Sequence, residues 1–301
     1  MALTGRAIAI TGVTGQVAAP VARAMAADNH VIGLARFSDP AARVELEAAG
    51  VECHPVDLTK PDLTGVPSEV DHVLHFAVTK IGRWDKDLAA NGVGAGELMS
   101  HFRGARSFLH CSSTAVYRPN GGQPMKESDP LGDHHGQAMP TYSISKIAAE
   151  TVARFGARHF ELPTTIARLN VPYGDGSGWP AFHLELMLGG LPIDVHPDGS
   201  RYNPIHHRDV TRLVPALLDM ADTTAPVVNL AGDEVVAVEE WCHLLGDLAG
   251  CEPRFEASDA AIPSAVIDTT RQHEMVGACE VGWRDGMREV VATLHPELLA
   301  H

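Results

Sequence analysis

The first half of the chain alternates short apolar runs with longer stretches in which apolar residues return every three or four positions. Strand-like runs separated by helix-like ones are the mark of βαβ units and predict a parallel sheet. The predicted strands are Ala7 to Thr11, His30 to Ala35, Val51 to Pro55, His72 to Ala77, Ser107 to Ser112 and Thr164 to Leu169. Helical stretches lie between them at roughly 16–27, 40–49, 84–103 and 141–159. Right-handed crossovers place such helices on both faces of the sheet. The predicted class is therefore α/β, a doubly wound parallel sheet whose ligands sit at the carboxyl ends of the strands.

The pattern changes after Asn170, where Pro172, Gly174, Gly176, Gly178 and Pro180 exclude regular structure and mark a domain boundary. Helices are predicted near 181–189, 207–221, 238–249 and 284–294, with a strand-like run from Val227 to Ala231. The reading is a first domain over 1–170, completed by segments near 201–232, and a smaller lobe, mainly 171–301. That lobe caps the strand ends and supplies a substrate pocket.

Composition narrows the partners. The formal charge is −15 and no run of Lys or Arg occurs, which argues against nucleic acid. An acidic chain binds an anionic cofactor only through local devices such as helix N-termini, backbone N–H groups and a few placed arginines. The five cysteines are scattered and never in a C-x-x-C pair, so they read as reduced thiols in neither a disulfide framework nor a zinc site. No stretch of 18 uninterrupted apolar residues occurs and the N-terminus enters a strand pattern at once, so no membrane partner is expected and the expected location is the cytoplasm. Seventeen histidines invite a metal, but adjacent pairs such as His134-His135 and His206-His207 point apart, and no metal is expected.

The candidate chemistry begins in IAITGVTGQVA, where Gly12, Gly15 and Ala18 stand at G-x-x-G-x-x-A spacing between a strand and a helix. Glycines there permit a tight turn and close approach of a pyrophosphate, at which the helix would point its free N–H groups. The second strand ends in Ala35-Arg36 with no carboxylate for ribose hydroxyls, and an arginine suits a 2′-phosphate, favouring NADP(H) over NAD(H). The alternative is a solvated Arg36, with cofactor choice made by a neighbour such as Arg43. Asp57-Leu58 follows the third strand, where a carboxylate could accept the adenine amino group.

MPTYSISKIAAE puts Tyr142 four residues before Lys146 at a helix start, on one face about a turn apart. An ammonium near a phenol stabilises phenolate, and the expectation is a Tyr142 pKa lowered into the range of a usable general acid or base. Upstream, FLHCSSTAVYRP ends a strand with Ser112, Ser113 and Thr114, any of which could hydrogen-bond a substrate oxygen beside Tyr142. Periodicity alone does not choose among them.

Taken in order, these segments resemble the extended short-chain dehydrogenase/reductase family, also called the NAD-dependent epimerase/dehydratase family, along nearly the whole chain. TGVTGQVA, with Gly12, Thr14, Gly15, Gln16 and Val17, is similar to its nucleotide-binding turn, and Asp57-Leu58 to its adenine site. HFAV, with Phe76, Ala77 and Val78, resembles the segment lining the cofactor, and Asn91 the helix asparagine near the active site. SSTAVY, aligned on Val116-Tyr117, puts Ser113 in the catalytic position beside Tyr142 and Lys146 of YSISK. RLNVPYG and NPIHHRDV match two later segments. The resemblance implies a Rossmann domain and hydride transfer between nicotinamide and a substrate carbon, with Tyr142 exchanging the proton. Lys146 would also hold the nicotinamide ribose, Ser113 and Thr114 would meet the substrate, and Asn170 and His206 would meet cofactor or substrate. It also implies a homodimer through the helices near 84–103 and 141–159.

The pattern departs from parts of that family. Ser113 is followed by Thr114-Ala115 rather than the Asp-Glu of dehydratases, and PRFEASD around Arg254 is a poor substitute for the R-P-G-D-like segment that grips a nucleotide diphosphate. Arg208 replaces an acidic residue and Arg118 a glycine. The main reading is thus an NAD(P)-dependent reductase or dehydrogenase of a small alcohol/carbonyl pair. The alternatives are a sugar or nucleotide-sugar epimerase that recycles bound cofactor and, against the intact Tyr142, Lys146 and Ser113, a cofactor-sensing regulator. Trp179, Phe182, Trp241, His183, His196 and His206 are further candidates for the pocket, each more ordinary as core.

Overall fold

Strand β1 (Ala7–Thr11) is buried along all but its first residue, as a central parallel strand covered on both faces must be. It sits mid-sheet in a computed structural model that describes residues 3–299. Around it the chain folds α1 (Ala18–Ala26), β2 (His30–Ala35), α2 (Pro40–Ala48), β3 (Val51–Pro55), β4 (His72–His75), α3 (Trp84–Leu88), α4 (Gly94–His101), β5 (Ser107–Ser113), α5 (Tyr142–His159) and β6 (Thr164–Leu169). The second half adds β7 (Pro172–Tyr173), α6 (Trp179–Leu188), β8 (Ile193–Val195), β9 (Arg201–Tyr202), β10 (Ile205–His206), α7 (His207–Asp219) and β11 (Val227–Leu230). β12 (Val236–Ala237), α8 (Val238–Ala249), β13 (Phe255–Ala257), α9 (Thr270–Met275) and α10 (Trp283–Leu294) complete it.

Seven strands form one parallel sheet in the order β11-β6-β5-β4-β1-β2-β3. The chain runs outward one way from β1 to β3 and the other way from β4 to β6, so a crevice opens where the direction reverses, at the carboxyl ends of β1 and β4. β11 reaches the sheet from beyond the predicted boundary, pairing Val227 to Leu230 with Ile166 to Leu169.

One core lies between the sheet and α1 and α7, with Ile8, Ile10, Val21, Leu213 and Leu217 fully covered. On the other face Ala9, Val73 and Phe108 meet Leu98 and Phe102 of the α4 region and Ala153 of α5. Truncating a side chain such as Phe108, fully buried here, costs about 3–5 kcal/mol. α5 turns small residues inward, and a Cβ at Gly156 would stand 2.6 Å from Met99 Sδ, so glycine sets how closely α4 and α5 pack. A third core is built from Leu184 of α6, Trp241 and Leu245 of α8 and Met287 and Val290 of α10.

Three departures from the predicted elements have local causes. The predicted helix over 84–103 is broken by a five-residue π turn, Ala89–Val93, between α3 and α4. Asn91 in that turn is buried; its amide donates to Thr79 O at 2.7 Å and to Ser145 Oγ at 3.0 Å, and its Oδ1 accepts from Thr79 N at 2.7 Å. β4 ends at His75, two residues early, because the Ala77 N–H turns to Thr11 Oγ1 at 3.1 Å. The short pairs β7/β10, β9/β12 and β8/β13 are two or three residues long, too short for a readable period.

Candidate active site

The glycine turn leaves the tip of β1 with Gly12 at φ +72°, and Gly12 N donates to Leu34 O of β2 at 2.6 Å. A Cβ there would lie 2.8 Å from Ala77 Cα, so only glycine lets the two loops approach. Gly15 N donates to Gly12 O at 2.7 Å and closes the turn. α1 starts at Ala18, later than predicted, and no side chain caps it. Its positive end opens on a cleft of about 350 Å³ lined by Gly12, Gly15, Gln16, Val17 and Ala18. A tight glycine cradle below an uncapped helix end fits a pyrophosphate, so these residues fit a dinucleotide.

Phe76 and Val78 line the same cleft beyond the turn, while Ala77 backs Gly12. Thr14 is exposed and stands outside the lining. Arg36, Asp57 and Leu58 lie at the ends of β2 and β3, also outside it. Asp57 Oδ1 accepts from Thr59 N and Thr59 Oγ1, both at 2.9 Å, and these bonds with the nearby Arg36 charge hold its carboxyl below the usual range. Leu58 is partly buried against the α4 side of the sheet.

At the other end of the cleft stand Tyr142 and Lys146 on the first two turns of α5. Three hydroxyls near the β5 terminus compete for the place beside Tyr142, and their partners decide it. Ser112 Oγ donates to Glu150 Oε1 at 2.6 Å, and Thr114 Oγ1 accepts from Asn170 Nδ2 at 2.8 Å. Ser113, its Oγ accepting from Ala115 N at 3.1 Å, is the hydroxyl left facing the Tyr142 phenol in the cleft.

The electrostatics correct the expectation of a lowered tyrosine pKa. Burial pushes the Tyr142 phenol up to about 12, and the neighbouring Ser113 hydroxyl offsets only part of that. Lys146, buried and lowered by burial, gives its Nζ proton to Cys111 O at 2.7 Å, and no hydrogen bond joins it to Tyr142.

Two candidate substrate residues turn out to hold the fold. Asn170 lines the cleft, but its amide donates to Thr114 Oγ1 and Ala265 O and its Oδ1 accepts from Asn203 N at 2.9 Å, tying β6 to the lobe. His206 is outside the cleft. It caps α7, its Nδ1 accepting from Arg208 N at 3.2 Å, and its ring meets Tyr173 edge-on. Of the aromatic candidates Trp179 lines the cleft; Trp241 is core, donating Nε1–H to His183 Nδ1 at 3.0 Å, and Phe182 is exposed. Sequence reasoning missed Lys80, His135, Met139, Tyr202 and Ala265, which also line it. They come from four separate segments, and no local pattern links them.

Among the described residues no group of three or more His, Cys, Asp or Glu is arranged to hold a metal ion, and no helix is long and apolar enough to cross a membrane. All five cysteines are unbridged.

A glycine cradle at the switch point of a doubly wound sheet, with a Ser-Tyr-Lys group at the far end of one cleft, defines a dinucleotide-dependent enzyme class. The chain belongs to the NAD-dependent epimerase/dehydratase family, whose model matches residues 8–231. Among curated protein sequences none matches it. Solved structures share the fold over nearly the whole chain. UDP-glucuronic acid 4-epimerase from Bacillus cereus, solved with UDP-glucuronic acid and NAD, is 18% identical with a TM-score of 0.83, covering 97% of this chain and 99% of its own. UDP-glucose 4-epimerase from Thermotoga maritima, with UDP-glucose, is 20% identical with a TM-score of 0.80 over 97% and 99%. UDP-glucose 4-epimerase from Thermus thermophilus, with NAD, is 21% identical with a TM-score of 0.78 over 95% and 98%.

Proposed function

We propose that the protein is an NAD-dependent enzyme that inverts a carbinol centre of a sugar-class substrate, oxidising it to a ketone and reducing it again on the opposite face. The observation that carries this reading is the Ser113-Tyr142 hydroxyl pair standing in the same cleft as the Gly12 cradle. Full-length likeness to three 4-epimerases supports the sugar. When bound, NAD supplies a reversible hydride acceptor. Gly12, Gly15, Gln16, Val17 and the α1 N-terminus would hold its pyrophosphate, with Phe76 and Val78 as an apolar wall. The positive charges of Lys146 and of bound NAD would favour the Tyr142 phenolate over the phenol of the cofactor-free protein; as phenolate Tyr142 would take the proton from the substrate oxygen and return it, while Ser113 would fix that oxygen.

NAD is preferred to NADP in this reading. Arg36 is exposed, and the nearby Asp57 carboxylate opposes a 2′-phosphate. A second reading, net oxidation or reduction of a small alcohol/carbonyl pair, is favoured by one observation. Among the described residues Lys80 and Lys146 are the cations lining the cleft, and no arginine stands there to clamp a diphosphate. We also propose a homodimer through α4 and α5, whose flank exposes Val93 and Phe155.

The test is to titrate NADH and NADPH separately by fluorescence, then incubate NAD-loaded protein with UDP-glucose and follow the sugar by proton NMR. A C4 epimer appearing without net nicotinamide reduction supports the epimerase. Net NADH production or consumption with simple alcohols or carbonyls supports the second reading, and failure to bind either nucleotide refutes both.

A further inference from the structure

The loop before α5 places two adjacent histidines against the catalytic cleft. His134 and His135 are each more than nine-tenths buried. His135 lines the cleft beside Tyr142, the ring centroids 6.0 Å apart, and the His135 N–H donates to Ser143 Oγ at 3.1 Å. Its ring also borders a second cavity of about 290 Å³, which His134 lines too.

The hydrogen bonds of the pair fix where its protons lie. His134 Nε2 stands 3.1 Å from Ser264 O, and a carbonyl can only accept, so the His134 proton is on Nε2. Burial lowers the His134 pKa, so the ring is neutral and carries that proton alone. His134 Nδ1 is therefore a lone pair. It lies 3.1 Å from His135 Nδ1, which must be the donor. A neutral His135, its pKa pushed down to about 3 by burial, then has its one proton on Nδ1 and a lone pair on Nε2. No described residue hydrogen-bonds that Nε2, and it is not sealed in the interior.

We infer that His135 is a specificity-determining residue, whose Nε2 accepts a hydrogen bond from a substrate hydroxyl neighbouring the carbon that reacts at Tyr142. The inference deepens the carbinol-oxidation reading above and rests on it. The Ser264 carbonyl, through His134, locks His135 as an acceptor. The site thereby selects a vicinal diol over a simple alcohol, because an alcohol without the second hydroxyl leaves the cleft-lining Nε2 without its hydrogen bond to substrate.

The experiment uses full-length, NAD-loaded protein with nitrogen-15 histidine, recorded alone and with UDP-glucose as probe. The expected spectrum has a protonated Nδ1 and an unprotonated Nε2 for His135, assigned from its loss in His135→Gln, and UDP-glucose shifts the Nε2 signal. His135→Phe weakens UDP-glucose about tenfold with NADH affinity unchanged, whereas His135→Gln, which keeps an acceptor oxygen, restores most of it. A protonated Nε2, or UDP-glucose affinity unchanged in His135→Phe, overturns the inference. If UDP-glucose does not bind the wild type, the sugar reading fails by itself, and 2,3-butanediol becomes the probe. An Nε2 signal unmoved by that diol overturns the inference.

Discussion

Lys146 sits one turn along α5 from Tyr142, yet its Nζ proton goes to the carbonyl of Cys111 at 2.7 Å. The phenol is thus left to burial and to Ser113, and is raised to about 12. The other tyrosines are raised for the same reason, Tyr117 to about 12 and Tyr173 and Tyr202 likewise upward. In cofactor-free protein, phenolate absorbance near 295 nm should therefore show no step between pH 7 and about 10, the ordinary tyrosine value. A one-tyrosine step near pH 8, lost in Tyr142→Phe, would show that Lys146 tunes the phenol directly.

Gly12→Ala places a methyl 2.8 Å from the backbone of Ala77 at a φ of +72°. NADH affinity should fall by at least about a hundredfold, the equivalent of roughly 3 kcal/mol of strain and lost contact. Fluorescence titration reads the affinity, and circular dichroism confirms that the sheet is intact. Affinity within twofold of wild type would remove Gly12 from the phosphate site.

Glu150 and Arg168 form a two-pronged ion pair beneath the active site, at 2.9 and 2.8 Å, with both side chains 2% exposed. Arg168 also lies over the Tyr117 ring at 4.8 Å. Glu150→Gln leaves a buried guanidinium without its counter-charge and should cost about 3–5 kcal/mol in urea unfolding. Replacing both residues with leucine should cost less than the sum of the single changes. A loss under about 1 kcal/mol for Glu150→Gln would mean that the pair is solvated.

Burial holds His75 and His135 down to about 3 and His183 and His207 down to about 4, so each is neutral when folded. An unfolded histidine takes up a proton below about 6.5. Between that pH and about 4 the unfolded state binds more protons, so stability falls as pH falls, by up to about 1.4 kcal/mol per pH unit for each histidine. Above pH 7 these groups contribute fully and add no further slope. The urea midpoint should drop clearly from pH 7 to pH 5, and an unchanged midpoint would contradict the burial of these rings.

Much of the fold and half of the site were legible because their signals are local. The glycine turn and the Tyr142-Lys146 spacing each lie within a few residues, and the parallel strands carry their own apolar runs. Features that depend on distant partners were not. The break at Asn91 is held by Thr79 and by Ser145, 54 residues away. His206 is polar and lies in a family-like segment, but its role as a helix cap shows only once α7 is in place. The tyrosine environment was misjudged for a related reason, since burial is a property of the folded neighbourhood and not of the Y-x-x-x-K spacing.

The central claim, that Tyr142 exchanges the proton in an NAD-dependent oxidation, is tested most directly by comparing wild type and Tyr142→Phe in NADH affinity and in turnover of NAD-loaded protein with UDP-glucose and with 2,3-butanediol. The account predicts equal NADH affinity and a loss of turnover of roughly a hundred- to ten-thousand-fold in the variant. Turnover retained in Tyr142→Phe, or no nucleotide binding by the wild type, would contradict it.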